Sequence, residues 1–110
     1  MKFYRCEVCG LVLEEGQLEE NCPKCGAPKE KFVELDSEAS EKNVRSEFTN
    51  DLHVQLIHLC EKLEHVAEAG INDNLDPSCV KIFVRTKAYS KLLKQLAKAE
   101  LAGHISKGKW

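Results

Sequence analysis

Four cysteines stand in two matched pairs near the N-terminus. Cys6-Glu7-Val8-Cys9-Gly10 and Cys22-Pro23-Lys24-Cys25-Gly26 are two C-x-x-C-G knuckles, with 12 residues between them. Two residues between thiols let one tight turn aim both sulfurs at a single ion. Gly10 and Gly26 supply positive-φ positions from which backbone N–H groups can point at sulfur. Pro23 removes a donor and stiffens the second turn. Four thiolates set tetrahedrally suit Zn²⁺ or a single iron. A [4Fe–4S] cluster fits less well, because its cysteine spacings include a tighter run. The plain alternative, two unrelated pairs of buried thiols, does not account for two matched knuckles each followed by glycine.

The remaining candidates for chemistry are weaker. His53, His58 and His65 share one segment with Glu61, Glu64 and Glu68, and His58, Glu61 and His65 make the one plausible second site. Too few ligands follow for a di-iron centre built by this chain alone. Cys60 and Cys79 read as small apolar residues. The sharper alternative is a regulatory disulfide, with the Cys79 thiol made acidic by a helix N-terminus. Lys87, Lys91, Lys94 and Lys98 recur at spacings of 4, 3 and 4 and form a basic line. That line is either a solvated face or a docking surface for an acidic protein or for phosphates. With Tyr89 the sole interleaved aromatic, a base-stacking platform is disfavoured, and nucleic acid is the weaker candidate. No catalytic triad, phosphate loop or nucleotide fingerprint occurs, so an enzyme acting alone is not expected.

The elements that must position these residues change character along the 110-residue chain. Residues 1–35 are rich in turn signals, with short strands expected at Lys2–Arg5, Leu11–Leu13 and Lys31–Leu35. So small a core needs a metal or disulfides to hold it. Residues 36–50 are polar and read as a linker or a short solvated helix. From residue 51 the period becomes helical. Leu52, Leu56, Leu59, Leu63 and Val66 form a stripe, with Thr49, Asn50 or Asp51 as its cap and Gly70 as its end, giving a helix at about 51–69. Asp76-Pro77 opens a second helix at about 77–102, with a break possible near Thr86–Ser90 and a frayed tail from Ser106. Two helices of this kind bury little alone. They are expected to pack on the metal module or to pair with a second chain as a homodimeric four-helix bundle.

The fold class is therefore α+β, with a metal-knuckle domain at 1–35, a linker at 36–50 and an α-helical, hairpin-like domain at 51–110. Charge is split along it. Residues 1–76 hold 8 basic and 17 acidic residues, and residues 77–110 hold 8 basic residues and Glu100 alone. The two parts are expected to face different surroundings. No apolar run is long enough to span a membrane, and the N-terminus has no signal-peptide core. A cytoplasmic, reducing location is expected, where paired cysteines hold metal rather than disulfides.

Tyr4-Arg5-Cys6-Glu7-Val8-Cys9-Gly10 and Cys22-Pro23-Lys24-Cys25-Gly26-Ala27-Pro28-Lys29-Glu30-Lys31-Phe32 resemble the rubredoxin family, and most of all the rubredoxin-like domain of rubrerythrins. The resemblance covers about residues 3–35. It implies one iron ion cycling between Fe²⁺ and Fe³⁺, with Cys6, Cys9, Cys22 and Cys25 as ligands. It also implies a protein redox partner and a role in electron transfer or redox sensing. Where full-length rubredoxins carry a Tyr and a Trp beside the knuckles, this chain has Leu11-Val12 and Glu20-Asn21, which leaves Tyr4 and Phe32 to shield the metal. The alternative from the residues alone is a zinc-ribbon adaptor with structural zinc, binding protein or nucleic acid through its basic helix. Zinc can also replace iron in recombinant protein.

Overall fold

A computed structural model describes all 110 residues, and the chain divides into two compact units, Met1–Val44 and Arg45–Trp110.

In the first unit, β1 (Phe3–Cys6), β2 (Val12–Glu14) and β3 (Phe32–Glu34) form an antiparallel sheet in the order β2-β1-β3. Arg5 stands opposite both Val12 and Val33, and Cys6 opposite Phe32. The strands fall where the sequence places them. β1 is short because the first knuckle begins as the strand ends: Cys6 is at once its last residue and the first thiol. The buried apolar residues here are Cys6 and Cys22 alone, 1% and 3% exposed. The core of this unit is its sulfur site.

Two helices dominate the rest. α1 (Ser37–Asp73) takes in the polar stretch read as a linker or a short solvated helix, and it extends beyond about 51–69 at both ends. Its cap is Asp36, whose Oδ1 accepts from the Ala39 N–H at 2.8 Å. Thr49, Asn50 and Asp51 therefore lie within the helix and do not cap it. Gly70 does not end it either. An added Cβ there would lie 2.2 Å from the Phe83 ring, so glycine is the residue that admits Phe83 to the helix surface. The helix ends instead at Asn74, in the left-handed region at φ 50°, with its N–H donating to Gly70 O.

α2 (Pro77–Ser106) starts as the sequence indicates. Asp76 Oδ1 accepts from the Cys79 N–H at 2.8 Å, and Pro77 occupies the first turn. It runs without a break through Thr86–Ser90, because Thr86 Oγ1 donates to Ile82 O within the helix and Ser90 is buried. Its end is not frayed. Gly108 at φ 73° lets the Lys109 N–H reach His104 O at 2.8 Å and the Gly108 N–H reach Ile105 O. This is a Schellman closure.

Contacts between the helices pair low with high residue numbers: Gly70 with Phe83, Glu68 with Lys87, Glu61 with Lys94, and Asn50 with His104. The helices therefore run antiparallel. The residues between them are small or polar. Asn50, Cys60 and Ala67 of α1 and Ser90, Ala97 and His104 of α2 are the buried ones. The leucine stripe lies beside this seam and remains exposed, with Leu52 and Leu63 at 45% and Leu59 at 53%. No helix is long and apolar enough to cross a membrane.

Candidate metal centre

The two knuckles repeat one backbone design. Gly10 N–H donates to Cys6 O at 2.9 Å, and Gly26 N–H to Cys22 O at 2.8 Å. Cys6 N–H donates to Leu11 O, and Cys22 N–H to Ala27 O. Gly10 and Gly26 have φ of 81° and 76°, values that side chains resist. Each turn thus closes on itself around its own pair of thiols. The first turn is tied to the chain just before β3, where Glu7 N–H donates to Lys31 O, and the second is braced from its own flanks, where Lys29 N–H donates to Glu20 O and the Asn21 side-chain amide to Gly26 O.

This brings Cys6, Cys9, Cys22 and Cys25 together, with all four sulfurs within 4.8 Å of one another. Cys6 Sγ lies 3.7 Å from Cys25 Sγ, and Cys9 Sγ 3.6 Å from Cys22 Sγ. A tetrahedral ion with metal–sulfur bonds of about 2.3 Å separates its sulfurs by about 3.8 Å. The spacing fits such an ion and is far too long for a disulfide, whose sulfurs lie about 2.05 Å apart.

The local field also suits a cation. The Cys9 amide is the main influence lowering the Cys6 thiol below its usual range, with the Val8 amide aiding it against burial. Burial works to raise Cys22. The Cys25 and Lys24 amides and the neighbouring thiols outweigh it and bring Cys22 to about 6. At Cys25 the Ala27 amide works the other way and is overcome: burial and the Cys22, Cys6 and Cys9 sulfurs push this thiol up to about 12. Backbone donors favour thiolate, and mutual repulsion keeps the last proton on. A bound cation resolves that conflict. Burial divides the set. Cys6 and Cys22 are buried, Cys9 is half-buried and Cys25 is exposed.

The other sequence candidates do not assemble. Glu61 pairs with Lys94 at 3.0 Å rather than joining His58 and His65. Cys60 and Cys79 carry free thiols. Cys60 lies level with residues near Lys94, well over ten residues along α2 from Cys79. At about 1.5 Å per residue this is roughly 20 Å, which rules out the disulfide. Nor is Cys79 acidic: its hydrogen bond to the Asp76 carboxylate, then burial and the Asp76 and Asp73 charges, raise it. The helix terminus is outweighed by the cap that completes it.

Two of the four lysines in the basic line are engaged within the hairpin, Lys87 by Glu68 at 2.5 Å and Lys94 by Glu61. A polar cluster escaped the sequence reading. Asn50 Nδ2 and Ser46 Oγ both donate to Lys109 O at 2.6 Å. His104 Nδ1 donates to Asn50 Oδ1 at 2.5 Å, and its Nε2 lies 3.3 Å from Glu100. The available signal was the heptad repeat of Ser90, Ala97 and His104, which does not follow the leucines.

The fold and sulfur geometry define a rubredoxin-like domain, and comparison agrees. Residues 4–33 match the family model described as rubrerythrin, rubredoxin-like domain. Among curated proteins, reverse rubrerythrin-1 of Clostridium acetobutylicum is 47% identical over 38 residues. Those residues are 34% of this chain and 21% of that protein, so the match spans about a fifth of the relative's length. No solved structure matches the chain.

Proposed function

We propose that this chain is an electron-transfer or redox-sensing protein with one iron ion held by Cys6, Cys9, Cys22 and Cys25. The observation that carries the reading is the gathering of four sulfurs within 4.8 Å in a domain of rubredoxin type. Iron held by these four thiolates would supply a one-electron couple between Fe²⁺ and Fe³⁺, the chemistry that transfer between a donor and an acceptor protein requires. The chain contributes rigidity. Both knuckle turns are closed by backbone hydrogen bonds, so the thiolates keep their positions in either charge state and little reorganisation opposes transfer. The amides of Val8, Cys9, Lys24, Cys25 and Ala27 stabilise sulfur charge and so tune the potential. Cys25, the exposed ligand, is the edge a partner protein approaches. Lys91 and Lys98, with Lys87 and Lys94 beside them, offer an acidic partner a docking line. The protein acts as a redox partner in the cytoplasm rather than as an enzyme by itself.

The test is a visible spectrum with metal analysis, on protein from iron-replete, zinc-poor cells. The expected result is a red protein with one iron per chain, bleached by dithionite and recoloured by air. A colourless protein with one tightly held zinc overturns it. The metal would then be structural, as in a zinc-ribbon adaptor.

A further inference from the structure

The helical unit leaves a broad apolar surface uncovered, and the geometry says where that surface lies. Each exposed stripe residue immediately precedes a residue facing the seam: Leu52 before His53, Leu59 before Cys60 and Leu63 before Glu64 on α1. On α2 the same holds for Ile82 before Phe83 and Leu96 before Ala97, and Leu93 falls on the same line. One residue is about 100° of helical turn. In an antiparallel pair, a step towards each N-terminus rotates to the same side on both helices. The two stripes therefore share one face. The opposite face is tied across by the Glu68–Lys87 and Glu61–Lys94 pairs.

These six residues are 44–61% exposed, and Phe48 on the same side is 70% exposed. With their neighbours they present on the order of 1,000 Å². The largest apolar patch of a typical monomer is about 300–600 Å², and a standard interface buries about 800 Å² per partner.

We infer that this face is covered by a second copy of the chain, forming a four-helix bundle of two hairpins. Area argues for the occupant: the face is at least as large as the roughly 800 Å² that each partner of a standard interface buries, and a second copy brings an equal apolar face to meet it. The inference holds whichever metal the cysteines bind.

Sedimentation equilibrium of the full chain at tens of micromolar tests it. The expected mass is twice 12.4 kDa. Leu63→Lys should weaken the dimer by at least ~10-fold, because the new charge is buried in the contact. Val54→Lys, on the opposite face, should leave it dimeric, and metal per chain should not change in either. A wild-type monomer, or a Leu63→Lys variant that dimerises as wild type does, overturns the inference. If Leu63→Lys fails to fold, the wild-type thermal midpoint decides. A rise with protein concentration supports a dimer, and a constant midpoint refutes it.

Discussion

At the residue scale, the proposed function rests on four sulfurs and the amides that face them. The first thiol of each knuckle is buried and the second lies further out, so the four thiols are not equivalent. Cys22→Ser replaces a thiolate that the Cys25 and Lys24 amides already stabilise. It should weaken metal retention by at least ~10–100-fold, measured by competition with a chromophoric chelator. A second residue-scale expectation concerns Asp76. Hydrogen bonds from the Cys79 amide and thiol hold its carboxyl below the usual carboxylate range. A lowered folded-state pKa means that the cap stabilises α2 above the unfolded carboxylate range and that this contribution is lost as pH falls through the lowered value. Asp76→Asn keeps an oxygen to accept the Cys79 N–H but cannot titrate. Its thermal midpoint, followed by circular dichroism, should fall less than that of wild type between neutral and acid pH. An equal fall in both would show that the cap does not titrate.

At the element scale, the tightest constraint is Gly70 against the Phe83 ring. Any Cβ at Gly70 must displace the ring or part the helices. Gly70→Ala should cost about 1–3 kcal/mol despite alanine's better helix propensity, read by chemical denaturation. Phe83→Leu in the same chain should return part of that loss. If Gly70→Ala is neutral, the close approach is not what keeps glycine there. The sequence shows why this was hard to read. Glycine after an apolar run signals a helix end, and the residue that makes it a packing site lies on the other helix. Asn50 misleads for a related reason. A polar residue at the start of an apolar run reads as a cap, yet here it is buried and satisfied by His104 and Lys109, 54 and 59 residues away.

At the scale of the whole molecule, the two units are stabilised by different means. The first has a sulfur site for a core, and the second has a helix seam. Removal of metal by a strong chelator under reducing conditions should unfold the N-terminal unit and leave the helical signal largely intact. Far-ultraviolet circular dichroism with limited proteolysis would show this, cleavage appearing first within residues 1–35. Loss of the helical signal together with the metal would mean that the helices depend on the sulfur site.

The sequence by itself was enough for the knuckles, the three strands, the opening of α2 at Asp76-Pro77 and the α+β class. In each case the information is local: a turn needs its glycine within a few residues, and the alternation or the cap is read in one short window. The exposed leucine stripe shows the limit. Periodicity established that one side of α1 is apolar, but not that this side would lie beside the seam rather than in it. Small and polar residues set the seam, because Gly70, Ala67, Cys60 and Ser90 let two backbones approach where leucines would hold them apart. Only the tertiary structure decided which face each helix turned inward, since that choice depends on the fit of two surfaces far apart in the chain.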